Sequence, residues 1–364
     1  MALINGKGYY IWKIPSCEGG DPEAIALVAQ QAGLQHVFIK IANGIYDYNF
    51  DSASKKDLVA PVCEALLAKG IRVWGWHYVF GDLPKEEAKA AIRQISRLPL
   101  DGYIIDAESE YKDKYTPCRI FMNELRGALP DYPVALSSFR YPNYHMSLPW
   151  KDFLSKCDFN MPQVYWEQAH NPGEQLMRSL KEFQLIEPFR PIIPTGAAYA
   201  AGGWVPTTDD IRSFLDTAVS LNMPAASFWS WDYCRVKLPA IWQAIADYTW
   251  PGSTTVIPTI PELFVEYLSN KNIPLILSLY DDAAVFVTSK QTIQGKNALN
   301  GWYSALLSTL YADATFTLDS FSGSESTMKM IWKIKTNDGS TFSIADTLGI
   351  QEKKILYHYS SIQY

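Results

Sequence analysis

Histidine and cysteine are scarce in this chain of 364 residues, with five of each. Cys17, Cys63, Cys118, Cys157 and Cys234 are far apart, and no C-x-x-C pair marks a zinc site or a redox motif. Cys63 and Cys118 fall inside helical patterns and read as buried thiols, which fits a reducing compartment. A basic block is also missing: the net charge is −6. That excludes a nucleic-acid partner, which needs clustered Lys and Arg, and gives no polybasic signal for a membrane partner. No apolar run is long enough to span a bilayer. The opening MALINGKGYYIW lacks the charged-then-apolar order of a signal peptide, so the expectation is a cytoplasmic protein or a processed secreted form. No glycine-rich phosphate loop is present, and no cofactor or metal is expected.

Aromatic residues, in contrast, are plentiful at 14%, with 12 Trp and 22 Tyr. Their flat apolar faces either fill a large core or line a ring-binding cleft. They lie in a regular order. Strand-like apolar runs at 8–14, 36–44, 72–81, 102–111, 133–142, 159–167, 191–199 and 225–233 alternate with helical patterns. Asp21-Pro22 gives one of those helices its N-cap and first residue, and Gly70 ends another. Eight β–α units in residues 1–250 predict a parallel sheet closed into a (β/α)₈ TIM barrel, with near-continuous apolar strands buried on both faces. Residues 251–261, rich in Pro, Ser and Thr, read as a linker. Residues 262–364 begin with helices and end in a run of alternating strands, the mark of a smaller α+β domain.

Barrel enzymes carry their chemistry at the C-terminal ends of the strands. Strand four ends in IIDAESEY, where Asp106 and Glu108 share one strand face, and Glu110 joins them if the extended run continues. Crowded carboxylates push one pKa upward, giving an acid beside an ionised partner, as glycoside hydrolysis requires. A solvated acidic loop and a metal site formed with His77 are the alternatives. Lys40 and Asn43 end strand two. Trp76, His77 and Tyr78 end strand three, with His77 opposite its neighbours. Ser137, Ser138 and Arg140 end strand five, and Gln163 and Tyr165 strand six. Trp229 and Trp231 share a face of strand eight, with Asp232 at the mouth. Together these aromatic and single polar residues predict a sugar-sized cleft. An inward Lys40 would pair with the carboxylates, whereas no nucleophile elbow supports acyl transfer around Ser137.

Four stretches of the barrel resemble the family 25 glycoside hydrolases, the lysozyme-type muramidases: KIANG (40–44), GWHYVF (75–80), IDAE (105–108) and MPQVYW (161–166). The resemblance implies Glu108 as general acid and Asp106 as its assistant. The family's strand-one Asp has no counterpart in GYYIW (8–12), so Asp232 or Glu110 is left as the second carboxylate. The strand-four motif is also distantly similar to the chitinases of family 18, with Tyr165 at the place of their strand-six Tyr. The C-terminal stretches 267–286, 293–295 and 346–359 resemble the SnoaL-like, nuclear transport factor 2-like fold, a cone of curved sheet and helices around a pocket. Many members dimerise, so the resemblance implies a homodimer through this domain, with Asp346 and His358 either facing the pocket or paired. Two functions stand open: a glycosidase acting on a polysaccharide or cell-wall glycan, and a non-catalytic carbohydrate- or ligand-binding protein on a degenerate barrel.

Overall fold

In the first unit, eight runs of apolar or alternating residues form the strands β1 (Gly6–Ile11), β2 (His36–Asn43), β3 (Arg72–Val79), β4 (Gly102–Ala107), β5 (Val134–Phe139), β6 (Phe159–Val164), β7 (Thr195–Ala197) and β8 (Ala225–Trp229). The structure is a computed structural model that describes residues 4–51, 54–252 and 258–363. Each strand pairs in parallel with the next, and β1 pairs with both β2 and β8, so the ladder closes into a barrel. Helices return the chain between strands: α1 (Pro22–Gln31), α2 (Val59–Leu67), α3 (Pro84–Arg97), α4 (Tyr115–Ala128), α5 (Trp150–Leu154), α6 (Pro172–Phe183) and α7 (Thr208–Ser220), with α8 (Trp231–Lys237) and α9 (Pro239–Asp247) after β8. Local chemistry sets their starts. The Asp21 side chain accepts the Ala24 N–H at 2.9 Å, and Thr207 and Asp210 form a reciprocal capping box.

Strand periodicity sends alternate residues inward. Tyr10, Phe38, Trp74, Trp76, Ile104, Ala135, Phe159, Met161 and Ala225 fill the barrel, with Tyr78 and Trp229 packed above them. Bulky rings leave little room elsewhere. A Cβ on Gly102 would stand 2.4 Å from the Trp74 ring, so only glycine fits at the base of β4. All five cysteines are buried and free. No helix among the described residues is long and apolar enough to cross a membrane.

Two expectations are corrected. The seventh strand is three residues long, not nine. The eighth ends at Trp229, because its ladder partners stop there: Tyr9 pairs with Phe228 and Ala197 with Trp229. Trp231 therefore starts α8 and does not share a strand face with Trp229.

The division between the two units falls in 253–257, outside the described residues, as does the centre of the expected linker 251–261. The second unit contains α10 (Ile260–Ser269), α11 (Ile273–Ser278) and α12 (Lys296–Ala305), with strands β9 (Tyr280–Val287), β10 (Thr292–Gln294), β11 (Thr315–Gly323), β12 (Thr327–Lys335), β13 (Thr341–Gln351) and β14 (Lys354–Gln363). The strands form one sheet in the order β10-β9-β14-β13-β12-β11, antiparallel except for the β9–β14 pair. Phe264 of α10 packs edge-on against Trp332 and His358 on one face of this sheet. There Asp346 and His358 are paired at 3.0 Å and buried. Trp332 donates to Asp346, and the Tyr280 hydroxyl bonds His358 and Tyr303 at 2.6 Å each. The chain as a whole is thus of mixed α/β class, a closed parallel barrel with a separate sheet domain after it.

Gly102→Ala is expected to destabilise the first unit by about 1–3 kcal/mol, the usual cost of overpacking. The check is the denaturant midpoint followed by tryptophan fluorescence; an unchanged midpoint would contradict the packing described.

Candidate active site

Inward positions at the C-terminal ends of the strands carry the polar groups of the barrel. β4 delivers Asp106 on its last inward turn, and Glu108 follows just past the strand. The extended run stops there, since residues Ser109–Tyr111 form a 3₁₀ turn. Glu110 therefore leaves the strand face and is exposed, but the Tyr78 hydroxyl reaches it at 2.6 Å. From β6, the Gln163 amide nitrogen donates to Glu108 Oε1 at 2.9 Å, to Asp106 Oδ1 at 3.2 Å and to Ser137 Oγ of β5 at 3.4 Å. One neutral amide thus spans two carboxylates.

Electrostatics follow from that burial. Asp106 is held well above the usual carboxylate range, first by desolvation and then by the charge of Glu108, while Lys40 and the Ser137 hydroxyl oppose the rise. Glu108 is raised as well, by desolvation and by Glu110, against the Gln163 hydrogen bond and Lys40. Burial also pushes Glu110 upward, but the Tyr78 hydroxyl, its own backbone N–H, Ser109 and Lys114 outweigh it and hold its carboxyl below the usual range.

Lys40 is 5% exposed and sits among rings. Its Nζ lies 4.5 Å from the Tyr48 centroid, 4.7 Å from Trp76, 5.7 Å from Tyr78 and 6.0 Å from Trp12, and it donates to Asn43 Oδ1 at 2.9 Å. Burial lowers its pKa to about 8, although Asp106 and Glu108 act to raise it. Beside the acids a cavity of about 230 Å³ is lined by Phe139, Arg140, His145, Gln163, Tyr165 and Glu167.

The structure brings together Asp106, Glu108, Glu110, Lys40, Asn43, Tyr78 and Gln163, and it puts Arg140 and Tyr165 on the adjoining cavity. Four other expected positions are corrected. Trp76 is 2% exposed and donates its ring N–H to the Ile11 carbonyl, so it forms the floor under Lys40 and offers no open stacking face. His77 points out of the barrel: Nε2 donates to the Gly44 carbonyl and Nδ1 accepts the Tyr103 hydroxyl, each at 2.7 Å, and burial lowers its pKa to about 4. It does not join the acids, which removes the metal reading that used it. Trp231 is fully buried between Tyr9 and Trp242 and donates to Glu18. Asp232 belongs to the first turn of α8 and accepts the Trp12 N–H at 3.3 Å. Trp229 stays at the mouth, 5.4 Å from Trp76 and 6.2 Å from Trp12.

Sequence reasoning missed Trp12 and Tyr48 as site residues, and it placed Glu167 at the end of strand six without giving it a role. Trp12 had a signal, because it continues the inward parity of Gly8 and Tyr10. Tyr48 had none, since it comes from the turn after a short hairpin strand that pairs with β2.

The sequence matches no protein-family model, and no curated protein is similar to it. Part of the chain is similar in structure to an NTF2-like protein of unknown function from Cytophaga hutchinsonii, at 11% identity over 28% of this chain and 84% of that one, with a TM-score of 0.24. A putative polyketide cyclase from Sinorhizobium meliloti shares 17% identity over 29% of this chain and 94% of its own, with a TM-score of 0.26. A putative ketosteroid isomerase from Kribbella flavida shares 8% over 28% and 73%, with a TM-score of 0.26.

The raised pKa of Asp106 has a consequence for stability. Its folded value lies above its unfolded value, so the stability it contributes is fully present below the unfolded pKa and is lost as pH rises through the folded one. Asp106→Asn is expected to raise the unfolding midpoint at neutral pH and to flatten the decline from pH 5 to pH 8. Denaturant titrations of both proteins at the two pH values are the check; parallel curves would refute it.

Proposed function

We propose that the protein is a glycoside hydrolase of the TIM-barrel type acting on a polysaccharide or cell-wall glycan. The observation that carries this reading is the Gln163 amide shared by Asp106 and Glu108 beside an open cavity. Both acids are shifted toward the protonated form, so the pair retains a proton where an isolated carboxyl would be ionised. Glu108, the more open of the two, donates that proton to the glycosidic oxygen. Asp106 lies behind it and stabilises the positive charge that develops on the sugar ring. Barrel enzymes place such groups at the C-terminal strand ends, and the resemblance of IDAE (105–108) to the family 25 motif gives the two residues the same roles.

A second reading has its own observation. The stretch GYYIW (8–12), whose Trp12 packs toward Trp229, offers no carboxylate where the family has its strand-one Asp. A barrel so altered would bind a carbohydrate or another ligand without cleaving it. For the second unit we propose the SnoaL-like fold and a homodimer formed through it. The support is the exposed apolar surface of Ile331, Tyr357 and Tyr359, which alternation sends to the sheet face opposite Trp332 and His358.

Hydrolysis of glycol chitin and of soluble muropeptide fragments by the wild type and by Glu108→Gln separates these readings. The glycosidase reading expects kcat to fall by about 10²–10⁴-fold in the variant. Equal rates would remove Glu108 as the acid. Calorimetric binding of a fragment without turnover would favour the binding protein.

A further inference from the structure

A glycosidase needs a second carboxylate across the scissile bond from its acid. Glu110 cannot supply it, because it is two residues from Glu108 on the same loop and so on the same side of the bond. Asp232 is turned to the Trp12 N–H. Glu167 remains, three residues beyond the end of β6. It lines the same cavity as Gln163, whose amide holds Glu108. Its Oε1 accepts the hydroxyl of Tyr199, and Tyr199 is braced edge-on against Tyr165 at 5.4 Å. Among the described residues Glu167 has no cationic partner, although Arg140 lines the same cavity, since Arg140 is engaged by Gln175.

We infer that Glu167 is the second catalytic carboxylate and acts as the general base on water. This rests on the glycosidase reading above. Glu167 is exposed, so water stands beside it, and a cavity of about 230 Å³ leaves room for that water as well as for part of a sugar ring. In the reaction Glu108 passes its proton to the glycosidic oxygen as the bond from that oxygen to C1 breaks. The water oxygen bonds to C1, and the water proton passes to Glu167. One water is consumed, two hydroxyl-bearing products form and no other reactant is needed. Attack from the opposite face inverts the configuration at C1.

The test compares wild type, Glu167→Gln and Glu108→Gln on glycol chitin and muropeptide fragments. It reads kcat, KM, the melting temperature and, by NMR, the anomer formed first. Glu167→Gln is expected to lose about 10²-fold or more in kcat, with KM within about threefold and the melting temperature unchanged, and the wild type to give the inverted anomer. If Glu167 serves only to hold Tyr199, the variant keeps kcat within about threefold of the wild type while Glu108→Gln is inactive, which overturns this inference and leaves the glycosidase reading intact. A retained anomer overturns the base role. A wild type that cleaves neither substrate overturns the glycosidase reading, and this inference with it.

Discussion

A closed ladder of parallel strands has no edge, and each of its strands must turn every second side chain into an interior that holds no bulk water. That constraint governs the first unit. Rings from β1, β2, β3 and β6 fill the lower layers, and Gly102 is bare because the Trp74 indole occupies the place of its Cβ. Above the rings the same alternation continues with Lys40, Asp106, Ser137 and Gln163. Lys40, Asp106 and Ser137 are buried because of where their strands put them, and the shifted pKa values of Lys40 and Asp106 follow from that burial.

The arrangement divides the work among separate strands. β4 brings the acids, β6 the amide that spans them, β5 a hydroxyl and β2 the cation. Among the described residues neither Asp106 nor Glu108 is in direct contact with Lys or Arg; the acids are held by neutral donors, which leave a proton on the pair easier to keep. Such a site opposes stability at neutral pH, and the packed layers beneath it have to carry that burden. It is the familiar conflict between a well-packed barrel and a reactive mouth.

Much of this was legible in the sequence. The eight units, the inward parity of Trp74, Trp76 and Tyr78 and the pairing of Asp106 with Glu108 all follow from period-two alternation and element order. The misplaced strand ends have one physical source, because alternation holds only while the ladder lasts. Strand eight runs out of partners at Trp229, so Trp231 and Asp232 pass to a helix. Strand four stops at Ala107, so Glu110 reaches the site from a 3₁₀ turn through Tyr78. The cage around Lys40 was illegible for another reason: it closes with Tyr48, a turn residue that a strand pattern does not describe. In the second unit, the Asp346–His358 pair was expected in two alternative forms, and burial selected the paired one.

The cage around Lys40 also sets how the site responds to its medium. The ammonium lies among four rings, and Asp106, on which it acts, is itself buried. Mobile ions screen charges they can surround, over about 10 Å at 0.1 M salt, and they cannot enter this layer. The field between Lys40 and the buried Asp106 is therefore only weakly dependent on ionic strength. Surface pairs such as Lys89 with Glu86 fade as salt rises, and so does the influence of the exposed Glu110, while the buried pairing of Lys40 with Asp106 persists.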